Sequence, residues 1–242
     1  MTGSGQRAKA VPAARQGYAT SAETRLKLML AAEELAARQG LAMLSAREIA
    51  KQAGLRNNVA VQYHFGSLEN LLRDLVRYRQ LQLDEIRSAL INEEGRNFAD
   101  FDLYTLLKIF HMPHLHLIRE AGNAHYASFM SQYILAMDPQ DYRQLNEHGN
   151  DLPALTKLLQ AIRQKMEGID AEIISRRIGN CTILFLNVVR SLPVAAFGPS
   201  CIGETGRVIK DTLLQCVAVL GAPQSDEAQD VEAAMLQRAS SG

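Results

Sequence analysis

"SAREIAKQAGLRNNVAVQYHFGSLENLL", residues 45–72, reads as two short helices around a glycine, with a third beginning behind them. Ser45-x-x-Glu48 has the spacing of a capping box, which satisfies backbone donors in a helix's first turn. Ile49 and Ala53 form the buried edge of that helix over 46–53, and Gly54 ends it. The next helix, over 58–65, takes Asn57 or Asn58 as its N-cap. Val61 and Phe65, four residues apart, share one face and turn back toward Leu55 and Ile49. Gly66 stops the helix, and Ser67 caps the one that follows. A helix this short needs only a small apolar stripe to pack. Its remaining residues, Gln62, Tyr63 and His64, are placed for a partner.

The residues before this stretch supply a brace. In "TRLKLMLAAEELAARQG" (24–40) the apolar residues Leu28, Ala31, Ala32, Leu35 and Ala36 fall at i, i+3, i+4, i+7 and i+8. That is one buried stripe along a helix over 22–39, with Gly40 as its stop. A long helix bracing two short ones around a tight turn makes a helix-turn-helix. In such a unit the second short helix enters the DNA major groove, N-terminal half first. Asn57, Asn58 and Gln62 suit the N6/N7 edge of adenine, and small Ala60 suits a thymine methyl. Tyr63 and His64 suit phosphate oxygens. Ser45, Arg47 and Arg56 are further phosphate candidates, the first two at a helix N-terminus.

At this point the chain resembles the TetR family of transcriptional regulators. The likeness spans about residues 24–72 and rests on "TR" (24–25), the "AA…L" run with its glycine, "REIAKQAG" (47–54), "YHF" (63–65) and the S-x-E-x-L-L pattern of 67–72. The stretch from Gly54 to Tyr-His-Phe is one residue longer than the family spacing. Gln62 stands where the family often has an aromatic, and Leu68 where it often has a lysine that reaches the DNA backbone. The resemblance implies an all-α homodimer. Its N-terminal helix-turn-helix would bind a double-stranded, palindromic operator. Its larger C-terminal helical domain would bind a small effector and dimerise through its last two helices. On that reading the chain divides into a flexible arm (1–20), a DNA-binding domain (21–67), an effector-binding and dimerisation domain (68–222) and a polar tail (223–242).

Charge supports the division. Residues 1–70 carry nine Lys/Arg against five Asp/Glu, and 71–242 carry 17 against 21, although the whole chain is neutral. The N-terminal part is therefore the one suited to a polyanion. Beyond 68 the periodicity predicts helices at 68–92, 101–119, 124–136, 139–148, 152–167, 170–191, 204–220 and 226–239. Apolar faces at Ile178, Cys181, Thr182, Phe185, Val188 and Val189, and at Val208, Leu213, Cys216, Val217 and Leu220, are expected either in the subunit core or, by the resemblance, in a four-helix dimer bundle through 170–192 and 204–220.

"IFHMPHLHLIRE" (109–120) brings His111, His114 and His116 within six residues. Imidazoles at that density suit a transition metal if a bend at Pro113 makes them converge. Otherwise they line an internal pocket or lie on the surface. With Phe110, Tyr126, Phe129, Met130 and Tyr133 at helical spacing, His111 and His114 make a mainly apolar wall with a few orienting polar groups, the composition of a small-molecule site. The expected function is thus a ligand-responsive DNA-binding regulator, a repressor released by an apolar effector. A metal-sensing regulator or an enzyme using the histidine cluster are the alternatives.

No nucleophile–base pair, phosphate loop or carboxylate pair points to catalysis, and no cofactor or metal is expected. Cys181, Cys201 and Cys216 have neither metal nor disulfide spacing, and residues 1–20 lack the apolar core of a signal peptide. "CTILFLNVV" (181–189) is too short to span a bilayer. A reduced, cytoplasmic protein with no membrane partner is expected.

Overall fold

The stripe at Leu28, Ala32 and Ala36 is buried in full, and it seats the first helix, α1 (Ala13–Gln39), against the rest of the chain. The computed structural model describes residues 13–57, 59–94, 100–137, 151–194 and 203–223. Among them the chain forms nine α-helices and one 3-10 turn, and no strand. The all-α architecture expected from the periodicity is the one found. α1 starts ahead of the expected residue 22, and residues 1–12 of the expected arm lie outside the described residues. So do the helices expected at 139–148 and 226–239, most of the tail, and Cys201.

Gly40, at φ 96°, ends α1 and turns the chain into the 3-10 turn Leu41–Met43. A left-handed residue of this kind costs glycine little. Then come α2 (Ala46–Gln52), α3 (Ala60–Phe65) and the long α4 (Leu68–Glu94). α5 (Leu103–Ala121), α6 (His125–Ala136), α7 (Pro153–Lys165), α8 (Ala171–Ser191) and α9 (Glu204–Gly221) complete the body. α6 packs on α1 and α8, α8 on α9, and α4 on α1, α5 and α7.

One apolar core runs from Ile49, Val61 and Phe65 in the head through Leu75 on α4 to Phe129 on α6 and Phe185 on α8. A second fills the far end around Leu107, Leu158, Ile162 and Cys181. The head is therefore not strung on a linker. It shares its core with the body.

Polar groups inside this core tie elements distant in sequence. Arg79 on α4 makes a two-pronged pair with Glu33 on α1, at 2.7 and 2.6 Å, with both side chains buried. Asp84 accepts from the Ala154 and Leu155 N–H groups at 3.2 and 2.6 Å. Those donors have no partner within α7, and a carboxylate suits the positive end of the helix dipole. The α6 side chain Gln132 accepts from Leu41 N–H at 2.7 Å and donates to the Ala36 carbonyl at 3.0 Å, clamping α6 to the end of α1.

Pro113 does not break α5, so the bend that convergence of the three histidines requires is not there. It sits inside a continuous helix, buried. A proline there forgoes the bond from its own nitrogen to the Ile109 carbonyl. Ten residues of α5 are buried, and packing along the helix holds it together across that gap.

Candidate nucleic-acid interface and buried histidine cluster

Ser45 caps α2 as its spacing predicts: its Oγ accepts from Glu48 N–H at 3.2 Å. The return bond of the box differs. The Glu48 carboxylate accepts from the Ser45 hydroxyl at 3.0 Å rather than from its backbone. The cap of α3 is Val59, not Asn57, and Asn58 lies outside the described residues. Asn57 instead accepts from Val59 N–H at 3.1 Å, forming an Asx-turn in front of the helix. Gly66, left-handed at φ 76°, closes α3, and Ser67 Oγ accepts from Asn70 N–H at 3.0 Å to open α4.

This local chemistry decides what α3 presents. Val61 and Phe65 face the core, and so does Ala60, which was expected to point outward. The exposed apolar residue is its neighbour Val59, at 60%. Ala60 lies beside Val61, on the edge of α3 that packs into the core. Gln62 is exposed, and Tyr63 is 80% exposed on a helix whose other face is fixed. Tyr63 and His64 meet edge to face, with ring centroids 4.9 Å apart. Tyr63, His64, Ala60, Asn57, Arg56 and Leu55, with Thr24 from α1, line an open depression of about 410 Å³. Val59 and Thr24 were missed by the sequence reading. Their signal is three-dimensional, since neither lies on the face that spacing alone assigns to a partner.

The cations divide into two sets. Arg25, on α1, lies over the Phe65 ring at 4.1 Å, donates to the His64 carbonyl and pairs with Asp74. It holds α3 to α4. Lys27 and Arg38 pair along α1 with Glu23 and Glu34. Arg47, Lys51 and Arg56 stand exposed around α2 and α3.

The three histidines of α5 do not converge. His116 turns outward, 2.9 Å from Glu120 and 3.0 Å from Arg119. His111 and His114 turn inward and are buried. Among the described residues no group of three His, Cys, Asp or Glu is placed to hold a metal. His111 stacks on Phe185 at 4.8 Å, and His114 stacks on Tyr126, whose hydroxyl is 2.8 Å from His114 Nδ1. Both nitrogens of His111 and Nε2 of His114 have no hydrogen-bond partner among the described residues. Burial, with the nearby Arg87 charge, pushes His111 down to about 3 and His114 well below its ordinary value. Both rings are neutral at physiological pH. Of the other expected effector residues, Phe110, Phe129 and Met130 are buried in the two cores and Tyr133 is half-buried.

The apolar faces expected on the last helices point inward. Ile178, Cys181, Thr182, Phe185 and Val189, with Leu213, Cys216 and Leu220, are buried within the single chain. Val188, Val208 and Val217 of the same expected faces are only half-buried. Leu214 and Val219 are what α9 exposes, at 48% and 36%.

The architecture is a helix-turn-helix head sharing its core with a larger helical body. No protein-family model matches the chain, and no curated protein matches it in sequence. Solved structures resemble it. A TetR family transcriptional regulator, PfmR, from Thermus thermophilus is 16% identical over 82% of this chain and 96% of its own, with a TM-score of 0.45. A TetR-family regulator from Streptomyces coelicolor A3 is 16% identical over 83% and 96%, also at 0.45. A transcriptional regulator from Rhodococcus sp. Rha1 is 20% identical over 81% and 95%, at 0.40. At that overlap the reading of function stands on the geometry of the head. No described helix is long and apolar enough to cross a membrane.

Proposed function

We propose that this protein is a DNA-binding transcriptional regulator of the TetR type, a homodimer that grips a palindromic operator and lets go when a small effector binds its body. The observation that carries the reading is α3: a six-residue helix with one face buried and Gln62 and Tyr63 left in solvent, with Arg47 and Lys51 exposed on α2 and Arg56 exposed in the turn that leads into it. A rigid polar helix edged by cations is the form that enters a major groove. Gln62 and Asn57 read base edges and Val59 meets a thymine methyl. Tyr63, His64, Ser45 and the cations hold phosphates.

The effector reading is supported by the buried histidines. Each buried polar atom left without a partner costs about 1–3 kcal/mol, so a molecule that satisfies His111 and His114 is favoured there. The neutral rings, with Phe110, Phe129 and Met130, suit an apolar or aromatic molecule with a polar group. The site also has a route to the head. His114 touches Tyr126 on α6, and the Tyr126 ring underlies Arg79, which holds Glu33 on α1. Two turns along α6, Gln132 clamps Leu41. Release requires the effector to prefer a body conformation in which the two heads no longer match successive grooves.

Salt tests the phosphate part. Each phosphate neutralised adds about −0.9 to the slope of log affinity on log salt. Removing Arg47 and Lys51 together should reduce that slope by about two. An unchanged slope contradicts the assignment of these cations.

A further inference from the structure

Two thiols face each other where α8 crosses α9, and neither DNA nor effector binding uses them. Cys181 and Cys216 are both free and buried. Cys181 Sγ lies 3.6 Å from the Cys216 carbonyl oxygen, and Cys216 Sγ lies 3.7 Å from that of Cys181. This reciprocal contact means the two residues stand directly opposite, the placement that disulfide geometry demands of its two backbones. The register is pinned one turn away. Arg177, four residues before Cys181, donates to the carbonyls of Leu220 and Ala222 at 2.7 and 2.5 Å, closing the C-terminal end of α9.

From this geometry we infer that Cys181 and Cys216 are a dithiol that closes to a disulfide on reaction with a peroxide, cross-linking α8 to α9. The two thiols are not equivalent. Each thiol donates to the other residue's backbone carbonyl, and the neighbouring thiol draws Cys216 below its ordinary value against the opposing effect of burial while pushing Cys181 up. Cys216 is therefore the attacking sulfur. Its thiolate attacks one peroxide oxygen, the O–O bond breaks, and the departing oxygen leaves as water or alcohol, taking the proton that Cys216 gave up. Cys216 is now a sulfenic acid. The Cys181 sulfur attacks the Cys216 sulfur, the S–S bond forms, the S–O bond breaks, and the hydroxyl leaves as water with the Cys181 proton. Two thiols lose two electrons, and the peroxide gains them. Hydrogen peroxide is close to water in size, so it can reach a site that excludes bulky thiol reagents. Mere packing of two small side chains would give no paired product.

The inference is independent of the DNA-binding reading. Full-length Cys201→Ser protein, so that only this pair remains, is exposed to hydrogen peroxide, denatured, alkylated with N-ethylmaleimide, digested and weighed. The expected product is one pair of peptides joined through Cys181 and Cys216, lighter by two hydrogens, released by dithiothreitol and formed within one chain. In Cys181→Ser, with Cys201 also replaced, Cys216 should give an adduct with dimedone, the trap for a sulfenic acid. The inference is overturned if both thiols still alkylate fully after peroxide has oxidised the protein's methionines. It is equally overturned if each cysteine proceeds separately to sulfinic acid, or if the cross-link joins two chains.

Discussion

His111 shows how much one side chain can carry. It is a base with no hydrogen-bond partner among the described residues, in a site that strongly disfavours its charge. The unfolded chain protonates it near 6.5, whereas in the fold this waits until about 3. Between those values the unfolded state binds more protons, so this contribution to stability is intact above the unfolded value and is lost on acidification. The loss is about 1.4 kcal/mol per pH unit for each such ring, and His114 adds a second. His111→Phe keeps the stack on Phe185 and removes one of the two titrations. Urea unfolding at pH 7.5 and pH 5 should show a smaller acid loss in the variant, by about 2 kcal/mol. Equal losses in both proteins would mean that His111 is not buried and neutral. No spacing rule foretells this. The sequence shows three close histidines, and only the placement of α5 among Arg87, Tyr126 and Phe185 separates two inward rings from the outward His116.

At the scale of elements, local signals were legible and long-range ones were not. Ser45, Gly40, Gly54, Gly66 and Ser67 mark helix ends through chemistry within four residues of themselves, and the structure follows them. The cap of α3 slipped to Val59 because an Asx-turn at Asn57 satisfies the same donors from outside the helix. Glu33 meets its partner Arg79 across 46 positions, a pairing that no local spacing marks. The clamp by Gln132 is of the same kind, and it carries a prediction. Gln132→Ala leaves the Leu41 N–H without its acceptor, at a cost of about 1–3 kcal/mol if no water replaces it. Hydrogen exchange should show the Leu41 amide opening faster while amides of α8 and α9 keep their protection. If Leu41 exchanges at the wild-type rate, α6 does not hold the head through this contact.

For the whole molecule, the inward turn of the α8 and α9 apolar faces changes how the proposed dimer must be probed. Phe185→Glu would wreck the core of a single chain and say nothing of association. Leu214 and Val219 lie outside that core, and a two-fold contact would repeat each of them. Leu214→Glu with Val219→Lys should turn a dimer into a monomer by light scattering, with the helical signal and its melting little changed. A monomeric wild type at micromolar concentration, or a variant that still dimerises, would contradict an interface on this face. Everything then turns on the head. The central claim is tested most directly by selecting a preferred duplex from a random pool and measuring its affinity against a scrambled duplex at one fixed salt concentration. The wild type should prefer the selected duplex by about a thousandfold or more. Gln62→Ala should erode that preference at its own base positions, by about 1–3 kcal/mol, and leave the scrambled duplex bound as before. A wild type with no preference, or a Gln62→Ala variant that discriminates as the wild type does, would contradict the account.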